Sequence, residues 1–172
     1  MTGRYFFKLM QRFFSSDKLK TNAIRILESS NIKYSTITYD VNENDLSGET
    51  VAKKINALPE TVFKTLVTLG DKTGVTIFCI PIISELNLKR SAILSENKYI
   101  EMVKVKDIFN LTGYIRGGCS PIGMKKKYPT FIEETALIFD EIYVSAGIRG
   151  MQVYLSPLDL QKITSAQFVN LI

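Results

Sequence analysis

The sequence predicts a mixed domain of the α/β class, α+β in type, with helices packed against a mixed sheet. Three observations predict it. Runs rich in β-branched and aromatic residues are interspersed with helical apolar patterns, but irregularly, without the repeated strand–helix unit of a parallel sheet. Gly70-Asp71-Lys72-Thr73-Gly74, set between two apolar runs, is a hairpin signal, so at least one strand pair is antiparallel. The 172 residues, 45% hydrophobic and 23% charged, are enough for one domain with a substantial core.

The chain opens on a basic extension, residues 1–19, and the domain proper spans 20–172. Arg4, Lys8, Arg12, Lys18 and Lys20 stand against the single acid Asp17, among six apolar residues from Phe6 to Phe14. An Arg-rich, acid-poor, Ser-containing start resembles an organellar transit segment, and it reads equally as an amphipathic helix packed on the domain. Organellar targeting or a cytoplasmic location follows accordingly. No window of the chain is long and apolar enough to span a bilayer.

Thr21 is suited to cap a helix whose Ala23, Ile24 and Leu27 face inward, with Asn31 as its stop. Lys33 to Tyr39 is β-rich and predicts a strand. Polar Asp40 to Ser47 predicts a loop, and Gly48 to Ala57 a helix with Val51, Ala52 and Ile55 on one face. Strands are expected over Val62 to Leu69 and Val75 to Pro81, joined by the hairpin. A helix over Leu86 to Leu94, a strand over Tyr99 to Val103 and a helix over Val105 to Leu111 follow, with Gly113 as C-cap. Phe131-Ile132, Ile142 to Val144 and Met151 to Leu155 predict strands. Ser156-Pro157 is an N-cap and N1 pair opening a helix over Leu158 to Ile163. A terminal helix over Ala166 to Ile172 closes the chain.

Chemistry is constrained by what is missing. The chain has no histidine, which removes histidine general bases, Ser-His and Cys-His pairs, and histidine-ligated metals. Two cysteines cannot build a zinc site alone, so neither metal nor cofactor is called for. The net charge of +5 mildly favours an acidic partner such as nucleic acid. The informative stretch is Thr112 to Ile132, TGYIRGGCSPIGMKKKYPTFI, which holds three glycines, two prolines and no carboxylate. A stiff glycine loop with exposed amides, Arg116 before it and Lys125, Lys126 and Lys127 after it, suits an anionic ligand. It reads as well as a tight surface turn beside a solvated lysine cluster. Lys64, in Phe63-Lys64-Thr65-Leu66, points to solvent if strand alternation holds.

Several spaced blocks together resemble the YbaK/EbsC family, freestanding relatives of the editing domain of bacterial prolyl-tRNA synthetases. They are Val62-Phe63-Lys64-Thr65-Leu66, Leu86-Asn87-Leu88-Lys89, Thr112-Gly113-Tyr114, and Gly117-Gly118-Cys119-Ser120-Pro121-Ile122-Gly123. Lys125-Lys126, Pro129-Thr130 and Ile142 to Gly147 followed by Arg149-Gly150 continue the match, which runs from about Lys20 to the C-terminus. The resemblance implies a twisted mixed sheet, partly barrel-like, flanked by helices. It implies an aminoacyl-tRNA deacylase acting in trans on cysteine misattached to tRNA(Pro), possible partners being mischarged tRNA(Pro) and prolyl-tRNA synthetase.

The family lysine corresponds to Lys64, reversing the solvent reading, and is implied to reach the terminal adenosine region of the tRNA or the substrate. The family's Gly-x-x-x-Pro loop falls on Gly117 to Pro121. Amides there, Gly117 and Gly118 foremost, are implied to cradle the ester. Tyr39, Thr65, Cys119, Ser120, Pro121, Ser145, Gly147 and Gln152 are the implied pocket residues, and Arg116, Lys125, Lys126 and Lys127 are expected to contact the tRNA acceptor end. Two departures border that pocket: Ser47 stands where bacterial members often carry an aromatic residue, and Gln152 where many have an aspartate.

An aminoacyl ester reacts through a tetrahedral oxyanion, which a preorganised amide stabilises by about 2.7–4 kcal/mol. With no histidine, the route implied by the family is attack by the substrate cysteine's own thiolate, leaving as a cyclic thiolactone. Cys119 offers itself as an enzyme nucleophile, but no base adjoins it in sequence and packing in the loop is the favoured reading. Two alternatives stay open: a deacylase for Ala-tRNA(Pro) or another small residue using water, and a non-catalytic module binding tRNA or a synthetase.

Overall fold

The computed structural model describes residues 20–172; the basic extension lies outside the described residues. Five helices and eight strands follow in mixed order. They are α1 (Asn22–Ser29), β1 (Ser35–Thr38), α2 (Gly48–Lys54), β2 (Phe63–Gly70), β3 (Gly74–Pro81), α3 (Leu88–Leu94), β4 (Ile100–Met102) and α4 (Val105–Thr112). After a long loop come β5 (Thr130–Glu133), β6 (Ile142–Ser145), β7 (Met151–Leu155), α5 (Pro157–Thr164) and β8 (Gln167–Val169). Short 3-10 turns cover Pro59–Thr61 and Glu134–Ile138.

Local chemistry sets the boundaries. The Thr21 hydroxyl accepts from the Ile24 amide to start α1, and Asn31 ends it in the left-handed region at φ 53°. Ser47 and Asn87 cap α2 and α3 in the same way. Gly113 ends α4 at φ 83°, where a Cβ would strain the backbone. Ser156 precedes α5 with Pro157 at the first position, yet its hydroxyl makes no capping bond.

The strands form two sheets rather than one. β1-β7-β6 is antiparallel throughout. β4-β2-β3-β5-β8 is mixed, antiparallel through the β2–β3 hairpin and parallel from β3 to β5 to β8. A single bridge, Val62 to Tyr143, links them, so the expected partial barrel does not close. The larger sheet is buried on both faces: Val67, Ile77 and Ile132 pack under α1, and Phe78, Ile80 and Phe131 face α3 and Leu171. Side chains of this kind contribute roughly 1.5–3 kcal/mol each when fully buried.

The expected terminal helix is instead strand β8. Ser165 breaks the chain at φ 55°, which leaves too few residues for a stable helix, and Phe168 and Val169 favour extended backbone. The segment is fastened by the buried Glu133 carboxylate, which accepts from the Leu171 amide at 2.5 Å. Leu171 in turn accepts from the Asn87 amide at 2.8 Å, and Arg90 donates to the Asn170 side chain and to the Ile172 carbonyl.

Candidate active site

Lys64 lies near the start of β2, paired with Ile80 of β3. Alternation sends it to the face shared with Ile80, which is covered by the second apolar cluster and not by water. That cover ends near the strand's start and leaves a cavity of ≈ 300 Å³. The solvent reading fails because the Lys64 side chain, beside β3, is half-buried in the cavity wall and not free in water. Lys64 is half-buried, and among the described residues its Nζ donates only a long bond, 3.4 Å, to the Ile82 carbonyl. Burial lowers its pKa from the ordinary lysine value, while the nearby Glu85 carboxylate opposes the shift.

Tyr39, Thr65, Arg116, Gly117, Cys119, Ser145 and Gln152 line the same cavity as Lys64. Residues more than a hundred positions apart are thereby joined from the segment just after β1, from β2, the glycine loop and the β6–β7 pair. Apolar walls come from Leu46, Val51, Val62, Phe63, Leu66 and Ile82. Gln152 is 6% exposed, pairs in register with Ser145, and its side-chain amide has no protein hydrogen-bond partner among the described residues. The Ser145 hydroxyl accepts from the Gly147 amide at 3.2 Å and keeps its own proton to donate.

Four expected pocket residues lie outside the cavity wall. The buried Gly118 donates its amide to the Ile115 carbonyl at 3.0 Å, so it is not free for an ester oxygen. Glycine is needed there for a different reason: a Cβ would stand 2.9 Å from the Arg149 nitrogen and the Ile148 carbonyl carbon. Ser120 is buried and accepts from the Ile122 amide, and Pro121 is buried beside it. Gly147, at φ 96°, makes room for the Tyr114 ring. Between Gly117 and Pro121, the amides without a protein partner among the described residues are those of Gly117, Cys119 and Ser120. Of the expected pair, Gly118 is thus committed elsewhere, while Gly117 and Cys119 both line the cavity.

Burial pushes the Cys119 thiol up to about 11, with the Thr112 hydroxyl working the other way, and the Cys79 thiol up to about 12. Neither is a thiolate near neutral pH. Ser47, at the position of the first departure, turns away from the cavity to cap α2; its neighbours Leu46 and Gly48 form the wall instead.

The lysine run takes a separate course. Lys126 and Lys127 line a second, larger cavity of ≈ 600 Å³ with Pro121, Tyr128, Thr164 and Ser165, and it shares no lining residue with the Lys64 cavity. Lys125 sits 4.8 Å from the Phe109 ring centroid and donates at 3.5 Å to the Asn110 carbonyl. Of the expected tRNA contacts, only Arg116 borders the Lys64 cavity.

Sequence reasoning gave no role to Arg149. Its Nε donates to the Arg116 carbonyl at 2.8 Å and its guanidinium reaches the Glu43 carboxylate at 2.6 Å, tying the glycine loop to the 40–47 loop. A lone cation flanked by Gly147 and Gly150 was the available signal.

The glycine loop, β2 and the β6–β7 pair all fall within residues 43–163, which match the model of the aminoacyl-tRNA editing domain. EbsC of Enterococcus faecalis, provisionally named a Cys-tRNA(Pro)/Cys-tRNA(Cys) deacylase, is 46% identical over 152 residues, 88% of this chain and 93% of that protein. Two solved structures share the fold. One is described provisionally as a trans-editing enzyme for prolyl-tRNA synthetase (TM-score 0.75, 22% identity, 90% of this chain and 98% of that one). The other is described as a hypothetical protein (TM-score 0.77, 18% identity, 87% and 99% coverage). On the family match and the close relative, the chain belongs to the aminoacyl-tRNA editing domain family, the group that the spaced sequence blocks resemble.

Proposed function

We propose that this protein is a trans-editing deacylase that removes cysteine from Cys-tRNA(Pro). The observation that carries the reading is the convergence of half-buried Lys64 and the unpartnered Gly117 and Cys119 amides on one cavity. At ≈ 300 Å³ the cavity is at the small end of ligand sites, roughly 300–1,000 Å³, which suits an aminoacyl group better than a whole nucleotide. The 46% identity to a protein bearing that deacylase name supports the choice of cysteine.

The cysteinyl ester enters with its carbonyl oxygen toward the Gly117 and Cys119 amides. The substrate thiol loses its proton to water, and the thiolate attacks its own ester carbon. The tetrahedral oxyanion is held by the amides. The bond to the terminal ribose oxygen then breaks, that oxygen takes a proton, and the cyclic thiolactone leaves. Lys64, an ammonium partly stripped of water, holds the ribose hydroxyls or donates that proton. With the Cys119 thiol pushed up to about 11, the nucleophile is the substrate's. Arg116, on the cavity rim, meets the acceptor end, and Lys126 and Lys127 meet the tRNA backbone farther along.

The test is a panel of tRNAs charged with cysteine, alanine, serine or proline, assayed with and without prolyl-tRNA synthetase. Cysteine should be released fastest from tRNA(Pro), and addition of the synthetase should sharpen tRNA choice. Preferred release of alanine would move the reading to a water-dependent deacylase. Tight tRNA binding with no release from any substrate would make the protein a binding module.

A further inference from the structure

Among the cavities, charged clusters and loops of the described residues, the Arg149 tie carries furthest. We propose that Arg149 is a positioning residue that fixes the Arg116–Gly117 peptide so that the Gly117 amide faces the ester cavity. The inference rests on the deacylase reading and goes beyond it.

The geometry is that of a trans peptide, in which the carbonyl and the following N–H point in opposite directions; none of the described peptide bonds is cis. Arg149 Nε pins the Arg116 carbonyl at 2.8 Å, so the Gly117 N–H must point away from Arg149. Arg149 does not line the ester cavity, whereas Gly117 lines both that cavity and the small hollow on the Arg149 side. The peptide therefore stands as a partition: its carbonyl is held from behind and its amide faces forward. Gly117 itself sits at φ 84°, a shape a glycine holds without strain and also leaves easily, so an outside constraint is needed.

Packing adds to the constraint. A Cβ on Gly117 would stand 3.3 Å from Arg149 Nε and 3.5 Å from Leu46, so the guanidinium and the 40–47 loop close on the glycine from one side. The second arm, to Glu43, holds that loop, but the Glu43 side chain is 67% exposed and the ion pair is weak. The two arms thus have unequal roles: the bond to the Arg116 carbonyl orients the amide, and the bond to Glu43 steadies Arg149.

Single-turnover release of cysteine from saturating Cys-tRNA(Pro) tests this with Arg149→Ala, Arg149→Lys and Glu43→Gln. Uncharged-tRNA affinity and the ¹⁵N-labelled Gly117 amide resonance are followed in parallel. Deleting an oxyanion donor costs about 10²–10³-fold in rate; an amide that remains but loses its orientation should cost less, about 10- to 100-fold for Arg149→Ala. tRNA affinity should hold within about twofold, and Arg149→Lys, which keeps a donor, should recover part of the rate. Glu43→Gln should lose less than about threefold. The Gly117 resonance should shift in Arg149→Ala and move much less in Arg149→Lys.

A folded Arg149→Ala with unchanged rate overturns the inference and leaves the deacylase reading standing. A rate loss explained wholly by weaker tRNA binding also overturns it and makes Arg149 a tRNA contact. If Arg149→Ala does not fold, the lysine variant decides: a full loss there with an unmoved Gly117 resonance sinks the idea. If the wild type releases no aminoacyl group but the Gly117 resonance responds as expected, the deacylase reading fails and the orienting tie stands.

Discussion

Replacing Lys64 by alanine should abolish most deacylation while the protein stays folded, and the structure supplies both magnitudes. For the fold, among the described residues the ammonium makes one long bond of 3.4 Å to the Ile82 carbonyl and no close ion pair, while held partly out of water. Losing so weak a contact should cost less than about 1 kcal/mol, the size of an ordinary net hydrogen bond. For activity, a charge-assisted contact contributes about 1.5–3 kcal/mol, or roughly 10- to 150-fold. If the ammonium also protonates the ribose oxygen, the loss extends to about 10²–10⁴-fold. The assay is single-turnover release from Cys-tRNA(Pro) beside thermal unfolding of wild type and Lys64→Ala. Near-normal turnover in the folded variant would refute the role given to Lys64. Because burial lowers the Lys64 pKa, stability should rise with pH from its folded-state pKa up to its unfolded value, since the native state sheds that proton first. Lys64→Ala should lack this rise.

Three further outcomes follow. Cys119→Ala should keep most activity, because its thiol is pushed up to about 11 by burial; complete loss in a folded variant, read in the same release assay, would restore covalent catalysis. Neutralising Lys125, Lys126 and Lys127 together should weaken tRNA binding and reduce the salt slope by about 2–3 if all three meet phosphates, measured by filter binding across salt concentrations. An unchanged slope would return them to a solvated surface. Gly118→Ala should lower stability by about 1–3 kcal/mol and reduce the rate, since the new Cβ would meet backbone atoms at 2.9 Å that cannot swing aside; wild-type denaturant unfolding would contradict this.

Local signals in the sequence were strong where the chain's chemistry acts over short range. Thr21 and Gly113 each mark a helix end that the structure reproduces, and the Gly70–Gly74 hairpin joins β2 to β3 in register. The failures came where a long-range partner decides. The segment Ala166 to Ile172 has helical apolar spacing, but pairing of β8 with β5 and the Glu133 carboxylate impose extended backbone. Lys64 obeys alternation and still leaves solvent, because what covers its face is a cluster assembled from β3, α3 and β5. The family resemblance placed Lys64 in the pocket; the residues alone did not.

The same distinction explains the glycine loop. Its composition announced exposed amides beside positive charge, a pattern that suited an anionic ligand and a tight surface turn equally. Folding divides it. Gly117 and Cys119 turn to the Lys64 cavity, Gly118 spends its amide on Ile115, and Lys126 and Lys127 turn to a second cavity with no wall in common. A site without histidine depends heavily on placement: the loop amides are useful only if they already point at the oxyanion. That requirement gives significance to a bond from Arg149 to a backbone carbonyl, a contact invisible to any motif because its acceptor belongs to the main chain and not to a side chain.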